Sequence, residues 1–225
     1  MTIKHSKSIV KCVVFDLDGT LLNTIKTINY YLNLAMTYCG LDILSEEDTM
    51  RFVGNGASKL VERAINRVGA DRSVFDSVFA AYNERYNSDP YYLTEIYEGI
   101  VELLSELKNK GIKLAVLSNK PDYATALATR RFFPDIFDII RGGREGVALK
   151  PEPDVLLEIM SELNIGRDEI AYVGDSEVDV ITAKNAEISN GIFVTWGFRT
   201  REKLIDSGAS LLVDKPREII DIIFS

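Results

Sequence analysis

Two aspartates, Asp16 and Asp18, follow the first apolar stretch of the chain and have the spacing of a paired site. Residues 9–15 are mostly apolar and β-branched, which is typical of a strand buried on both faces of a parallel sheet. Side chains two positions apart along a strand point the same way. We therefore expect the two carboxylates to converge at the carboxyl end of this strand, where open α/β sheets bind ligands.

Neighbouring carboxylates repel each other unless a cation lies between them or one of them is protonated. Mg²⁺, a hard cation that prefers oxygen ligands, is the expected partner. Gly19 allows a backbone turn after the pair, and Thr20 offers a hydroxyl and an N–H group there. These residues alone leave a second interpretation open, a strand that ends in an Asx-type turn.

Further polar groups follow later apolar stretches of the chain. Ser118 and Asn119 follow one predicted strand, Asp175 follows another, and Lys150 adds a cation. Carboxylates can hold Mg²⁺, while a hydroxyl, backbone N–H groups and an ammonium can receive phosphoryl oxygens. Taken singly, each group has a structural explanation as part of a turn, an N-cap or a solvated surface. Their joint occurrence at successive strand ends favours a phosphate-and-metal site.

Hydrophobic periodicity predicts strands that alternate with helices along most of the chain. The predicted strands after the first are residues 112–117, 136–140, 169–173, 192–195 and 211–213. The predicted helices between them are residues 98–111, 123–131, 150–163 and 180–186. The first of these helices is expected to bury Val101, Leu104 and Leu107 on one face. This alternation predicts an α/β fold with a doubly wound, parallel, Rossmann-like sheet.

No strand pattern interrupts residues 21–92, which we call the helical insert. Apolar residues at three-to-four spacing predict helices over residues 23–39, 59–68, 73–86 and after an N-cap at Ser45. The chain is therefore predicted to consist of an α/β core, residues 1–20 and 93–225, and a separate α-helical domain inserted after the first strand.

The chain of 225 residues has a formal net charge of −8 and a pI near 4.9, which disfavours nucleic acid and anionic membranes as partners. Cys12 and Cys39 lack metal-ligand spacing and are expected to be reduced thiols. No apolar run precedes the first strand or reaches membrane-spanning length, so we expect a cytoplasmic protein. His5, the single histidine, lies in the polar start, which argues against histidine-based catalysis.

Four segments resemble, in the same order, the four motifs of the haloacid dehalogenase-like hydrolase superfamily. They are Asp16-Leu-Asp-Gly-Thr-Leu21, Leu117-Ser-Asn-Lys120, Lys150-Pro-Glu-Pro153 and Gly174-Asp-Ser-Glu-Val-Asp179. The helical insert resembles the helical cap of that superfamily. Residues 52–56, 60–64 and 97–100 are similar to the corresponding segments of phosphoglycolate phosphatases.

The resemblance implies a Mg²⁺-dependent phosphomonoesterase in which Asp16 attacks phosphorus to form an aspartyl-phosphate. Asp18 would protonate the leaving alkoxide and later take a proton from the hydrolytic water. Mg²⁺ would be bound by the Asp16 carboxylate, the Asp18 backbone carbonyl and Asp175. Lys150 and Ser118 would stabilise charge on the phosphoryl oxygens.

Other positions complete the site that the resemblance implies. Gly19, Thr20 and Asn119 are expected to contact the phosphate. Asp179 is expected to orient Lys150 or a metal-bound water rather than to bind the metal itself.

Within the helical insert, we expect substrate contacts from Arg51, Asn55 and the N–H groups around residues 54–56. A glycine-flanked turn that opens a helix can bind a carboxylate, and 2-phosphoglycolate carries one. The alternative is that this turn is only a helix boundary and that Arg51 is solvated. Many members of the superfamily have an acidic residue at the position of Asn23, where the insert joins the core. We expect this difference to affect how the insert closes over the core more than it affects the chemistry.

The expected function is therefore that of a 2-phosphoglycolate phosphatase, a monomer or homodimer that acts on a small phosphorylated metabolite. Pyrophosphatase, nucleotidase and sugar-phosphate phosphatase activities stay open because the same core serves them. A phosphomutase is disfavoured by Thr20 and by the lack of a histidine after it, and a dehalogenase by Asp175. A phosphoaccepting signalling domain is the alternative of another class, and the helical insert disfavours it.

Overall fold

The structure, a computed structural model, describes residues 10–225. Its strands are β1 (Cys12–Phe15), β2 (Leu22–Asn23), β3 (Glu95–Ile96), β4 (Lys113–Pro121), β5 (Ile139–Gly143), β6 (Ile170–Gly174), β7 (Asn190–Val194) and β8 (Leu212–Val213). Six of them form one parallel sheet in the order β5-β4-β1-β6-β7-β8. The predicted α/β fold with a doubly wound parallel sheet is confirmed.

Ten α-helices accompany these strands within the described residues. They are α1 (Ile25–Tyr38), α2 (Glu46–Phe52), α3 (Gly56–Arg67), α4 (Phe75–Ser88), α5 (Ile100–Asn109), α6 (Asp122–Phe132), α7 (Asp154–Leu163), α8 (Glu177–Asn185), α9 (Arg201–Asp206) and α10 (Pro216–Phe224).

Strand β1 lies at the centre of the sheet, between β4 and β6. Its side chains alternate between two apolar layers, with Val13 and Phe15 in one layer and Cys12 and Val14 in the other. Helices α5 and α10 contribute to the first layer, and α7, α8 and α9 to the second. Both faces of β1 are therefore covered, which explains why its sequence is apolar at every position.

Helices α1 to α4 lie in the helical insert and share an apolar cluster of their own. Leu32 of α1, Val61 of α3 and Val78 of α4 are fully buried in it. Ala124 of α6 and Phe198, which follows β7, join this cluster from the core. The insert therefore packs against loops at the carboxyl edge of the sheet.

The predicted N-cap at Ser45 is confirmed, because its hydroxyl oxygen accepts a hydrogen bond from the backbone N–H of Asp48 at 3.0 Å. The predicted face of α5 needs a correction. Val101 is 49% exposed, and Leu103 takes its place beside Leu104 and Leu107. A helix has 3.6 residues per turn, so residues at a constant spacing of three gradually move around the helix. Val101, at one end of the predicted series, therefore falls outside the buried face.

Three short features were missed. Strands β2 and β3 form an antiparallel ribbon that pairs Leu22 with Ile96 and Asn23 with Glu95. Strand β2 lies in the stretch predicted to lack strands, and β3 lies just after it. Two-residue strands are too short to show a periodic pattern. Helices α9 and α10 were also not predicted. Helix α9 has only six residues, and the helical spacing of Ile219, Ile220 and Ile223 in α10 was overlooked.

Both cysteines are free, as predicted. Across residues 10–225, none of the helices combines the length and the hydropathy that a membrane crossing requires. The interpretations that concern residues 1–9, including the solvated His5 and the start of the first strand, lie outside the described residues.

Candidate active site

The carboxylate of Asp16 lies directly after the central strand, at the carboxyl edge of the sheet. Its Oδ1 is 3.0 Å from the Nζ of Lys150 and accepts the backbone N–H of Leu17 at 2.7 Å. Asp16 and Lys150 are both buried. Residues distant in the sequence are thus brought into direct contact, Asp16 from the end of a strand and Lys150 from a loop.

Asp179 holds Lys150 in this position. The Oδ1 of Asp179 accepts hydrogen bonds from Lys150 Nζ at 2.7 Å and from the Tyr172 hydroxyl at 2.8 Å. Its Oδ2 accepts the N–H and the hydroxyl of Ser176, at 3.1 and 2.6 Å, in a capping box that begins α8. Because both oxygens already have two donors, this geometry suits a residue that orients Lys150.

Asp175 is fixed by contacts from two loops. The Thr20 hydroxyl donates to its Oδ1 at 3.1 Å, and the backbone N–H of Phe198 donates to its Oδ2 at 2.7 Å. A Cβ at Gly19 or at Gly197 would lie 2.3 Å from atoms of the Asp175 side chain. Only glycine at both positions lets the two loops approach this carboxylate so closely.

The site has the donors and the charge that a divalent cation needs. One carboxylate oxygen each from Asp16, Asp175 and Asp179 lie within 4.8 Å of one another. Around this cluster, the four carboxylates of Asp16, Asp18, Asp175 and Asp179 face the two ammonium groups of Lys120 and Lys150. With all six groups ionised, four negative and two positive charges leave an excess of two negative charges. A hard divalent cation would balance it.

The pKa values of these carboxyls show the same excess of negative charge. Burial, followed by the charge of Asp179, raises the pKa of Asp175 to about 7. Burial also raises the pKa of Asp16 well above its ordinary value, although Lys150 opposes the shift. Burial alone would raise the pKa of Asp179 too, but Lys150 and the hydrogen bonds to Asp179 lower it. Lys150 and Asp179 therefore form an ion pair in which both groups are charged. The ionised forms of Asp16 and Asp175 would be stabilised most by a bound cation.

Ser118 and Asn119 are buried near the end of β4, beside β1. The Asn119 amide accepts the backbone N–H of Lys150 at 2.8 Å and donates to the carbonyl oxygen of Lys150 at 2.9 Å. It also donates to the carbonyl oxygen of Gly54 in the helical insert at 2.8 Å. The Asn119 side chain therefore positions the Lys150 loop and binds the insert. The expected phosphate contact, through backbone N–H groups near Asn119, stays a prediction.

A cavity of about 70 Å³, measured as the space open to the centre of a water molecule, lies between the sheet edge and the insert. The core contributes Asp16, Asp18, Ser118 and Asp175 to its wall. The insert contributes a mostly apolar wall that includes Ile28, Val53, Leu60, Tyr82 and Tyr86. The acidic cluster therefore faces a cavity that is bounded by both the sheet edge and the insert.

A family model described as haloacid dehalogenase-like hydrolase matches residues 13–192. The chain belongs to this family.

Curated relatives support a narrower grouping. The chain is 30% identical over 215 residues to phosphoglycolate phosphatase 1 of Pseudomonas aeruginosa, across 93% of this chain and 78% of that protein. It is 34% identical over 212 residues to a phosphoglycolate phosphatase of Rhodospirillum rubrum, across 91% and 87%. The crystal structure of a candidate phosphoglycolate phosphatase from Lactobacillus delbrueckii subsp. bulgaricus aligns with a TM-score of 0.89 at 32% identity, across 96% and 98%. The predicted family and its phosphoglycolate phosphatase-like branch are confirmed.

In this haloacid dehalogenase-like hydrolase, the Asp18 side chain does not join the carboxylate cluster. It lies 3.0 Å from the Nζ of Lys120, and the cluster consists of Asp16, Asp175 and Asp179. The resemblance implied a metal contact through the backbone carbonyl of Asp18. The position of the Asp18 side chain does not test that contact. Lys120 was part of a motif quoted from the sequence but was not selected as a site residue. Its position two residues after Ser118 along β4 was the signal that was missed.

The structure does not bring Arg51 or Asn55 to the cavity of the haloacid dehalogenase-like hydrolase. The Arg51 side chain is 66% exposed and pairs with Glu47 one turn earlier on α2. The Asn55 amide oxygen accepts a hydrogen bond from Arg63 within the insert at 2.8 Å. The alternative interpretation of this turn, a helix boundary with a solvated Arg51, describes the structure better. Gly54 and Gly56 do line the cavity.

Arg199 is a further residue that sequence reasoning missed. Its buried guanidinium donates to Glu177 of α8 and to the carbonyl oxygens of Met50 and Val53 in the insert, each at 2.7 Å. It follows Phe198, whose N–H binds Asp175. A single loop of the core therefore contacts both the carboxylate cluster and the insert.

Asn23 lies in β2, where the insert begins. Its amide oxygen is buried and lacks a hydrogen-bond partner among the described residues. A carboxylate in this position would be costly without a donor.

Proposed function

We propose that this chain is a Mg²⁺-dependent phosphatase that hydrolyses 2-phosphoglycolate through an aspartyl-phosphate on Asp16. The observation that carries the proposal is the Asp16 carboxylate, 3.0 Å from Lys150 and beside Asp175, at the wall of the cavity. The relatives named phosphoglycolate phosphatase support the choice of substrate.

The proposed first step transfers the phosphoryl group to the protein. A carboxylate oxygen of Asp16 attacks phosphorus, and the bond between phosphorus and the ester oxygen breaks. Asp18, on the cavity wall, donates a proton to the ester oxygen, which leaves as the hydroxyl of glycolate. Lys150 and the Ser118 hydroxyl donate hydrogen bonds to the phosphoryl oxygens.

The proposed second step releases phosphate. A water molecule attacks phosphorus in the aspartyl-phosphate, and Asp18 takes its proton. The acyl–phosphate bond breaks, so the Asp16 carboxylate and inorganic phosphate are restored. Asp16 and Asp175, with the Asp18 backbone carbonyl, would hold Mg²⁺. The cation lets the anionic phosphate approach an anionic carboxylate.

We further propose that the helical insert, residues 21–92, acts as a cap domain that closes the cavity over the substrate. The cavity between the sheet edge and the insert supports this proposal, because residues of both regions line it. A small phosphorylated metabolite, a cytoplasmic location and a monomeric or homodimeric state stay predictions.

The test is phosphate release from a panel of phosphate esters at fixed Mg²⁺, with kcat/KM determined for each. We expect 2-phosphoglycolate to rank above sugar phosphates, nucleotides and pyrophosphate. Stable labelling of Asp16 without turnover would instead support the phosphoaccepting signalling domain. A higher kcat/KM for another ester would replace 2-phosphoglycolate as the substrate.

A further inference from the structure

Lys120 is a buried cation on the wall of the cavity. Its side chain is 2% exposed, and its Nζ lies 3.0 Å from Asp18 Oδ1. The ammonium also lies 5.0 Å from the centre of the Tyr86 ring, in a cation–π contact with the helical insert. Lys120 therefore occupies the space between the proposed acid of the reaction and the insert.

The other two cations near the cavity each have three hydrogen-bond or ion-pair partners. Lys150 contacts Asp16, Asp179 and the Tyr172 hydroxyl. The Nε and both terminal nitrogens of Arg199 donate to Glu177 and to two carbonyl oxygens.

Lys120 differs from both. An ammonium has three N–H donors. Within residues 10–225, Asp18 is the one side chain that accepts a hydrogen bond from the ammonium of Lys120. Two of its three N–H donors are therefore left for a ligand, and they lie beside Asp18. Arg199 also keeps two of its five N–H donors, but its guanidinium is held at Glu177, Met50 and Val53, away from Asp18.

The position of Lys120 defines which part of a substrate it can reach. The phosphoryl group must lie at Asp16, and the ester oxygen must lie at Asp18 to receive its proton. Lys120, which contacts Asp18, then lies beside the group attached to the ester oxygen. In 2-phosphoglycolate this group is a carboxylate on the carbon next to the ester oxygen.

We infer that Lys120 is a specificity-determining residue that binds the carboxylate of the leaving group, so that the site selects phosphate esters of short 2-hydroxy acids. This inference rests on the proposed function, because it takes Asp16 and Asp18 in the roles given above. It assigns recognition of the carboxylate to the core, in place of Arg51 and Asn55 in the insert.

The first experiment compares 2-phosphoglycolate with 2-hydroxyethyl phosphate, which has a neutral hydroxyl in place of the carboxylate. We expect Lys120→Met to lower the ratio of the two kcat/KM values by about 10- to 100-fold, the range for a hydrogen bond to a charged group. Both values are expected to fall, since Asp18 also loses its partner, so the ratio is the measure. Lys59→Met, an exposed lysine paired with Glu62, is the matched control and should leave the ratio unchanged. An equal loss for both substrates would overturn the inference.

The second experiment separates a failure of this inference from a failure of the proposed function. Calorimetry in Mg²⁺ measures binding of two non-hydrolysable ligands, 3-phosphonopropionate and 3-hydroxypropylphosphonate, to the wild type and to Lys120→Met. We expect the wild type to prefer the carboxylate and the variant to lose about 10-fold or more of that preference. This result would stand even if 2-phosphoglycolate were not the substrate.

Equal binding of the two ligands by the wild type would overturn the role of Lys120, even if 2-phosphoglycolate were hydrolysed. Lys120→Gln provides a second variant should Lys120→Met not fold, and the wild-type comparison needs no variant.

Discussion

The core and the helical insert contribute to the cavity in different ways. The core supplies charged side chains, with Asp16, Asp175 and Lys150 held by buried contacts less than 3.5 Å long. The insert supplies an apolar wall and backbone carbonyls, such as those of Gly54 and Val53. The chemistry therefore depends on strand ends, and the shape of the cavity depends on how the insert docks.

This difference also explains where substitutions should act. A side chain at a strand end has its direction set by the sheet, and a buried ion pair loses much when one partner is removed. A side chain on an exposed helix face has neither constraint. We therefore expect large effects in the core and small ones on the outer face of the insert.

The largest effect is expected for Asp16→Asn. An amide cannot serve as the nucleophile, so phosphate release should fall by at least about 10⁴-fold while the fold is retained. The measurement is phosphate release together with circular dichroism and thermal melting. Asp138→Asn, at a core aspartate that pairs with Lys113 outside the cavity, is the control and should keep its activity. Substantial turnover by Asp16→Asn would assign the nucleophile elsewhere.

The next effect tests the contact between the two regions. Arg199→Ala removes the hydrogen bonds from the core to Met50 and Val53, so we expect KM to rise about 10-fold, with faster amide exchange in α2. Arg63→Ala is the matched control, since Arg63 binds the carbonyl of Phe52 from within the insert. It should speed exchange without a comparable rise in KM. Equal rises in KM would show that the core contact has no special role.

A moderate effect is expected from Mg²⁺ and pH. Folded Asp175 has a pKa of about 7, above its ordinary value of 3.8, so between these values the cation-free folded state binds more protons than the unfolded state. Its stability should therefore fall as the pH rises through this window. Mg²⁺ competes with the proton, so saturating Mg²⁺ should raise the Tm by about 5–10 °C at pH 8 and by less at pH 5.

Thermal melts in Mg²⁺ and in EDTA at both pH values provide the measurement. Asp175→Asn is the control, because it removes one of the two carboxyls with a raised pKa and should weaken the pH dependence. A Mg²⁺ effect that is equal at both pH values would separate cation binding from Asp175.

The smallest effect is expected for Arg51→Ala. An exposed ion pair with Glu47 contributes little, so kcat/KM for 2-phosphoglycolate should change by less than about twofold. The same assay with 2-hydroxyethyl phosphate is the control. A rise in KM confined to 2-phosphoglycolate would restore the substrate contact expected from the sequence and would weaken the case for Lys120.

The core part of the site could be predicted because strand geometry leaves few choices. Asp16, Ser118 and Asp175 each follow an apolar strand, and parallel strands place their carboxyl ends at one edge. Lys150 comes from a loop, and it joined the prediction through its charge and through the resemblance to a known motif. The roles of these residues in the reaction stay predictions until variants are measured.

The contacts of the insert could not be predicted in the same way. Whether Arg51 or Arg199 reaches the cavity depends on how α2 packs on the core, and helical spacing gives only the face of each helix. Asn119 shows the same limit, because its amide binds Gly54 across the two regions. The sequence also does not show that Lys120 is buried against the ring of Tyr86, because Tyr86 belongs to the insert.

The chain has one tryptophan, Trp196, whose indole N–H donates to the carbonyl oxygen of Thr20 at 3.1 Å. It lies two residues before Phe198, in the loop that contacts both regions. Its fluorescence therefore comes from one known place beside the acidic cluster. Intrinsic tryptophan fluorescence can therefore be used to follow cation binding to the native protein without an added label.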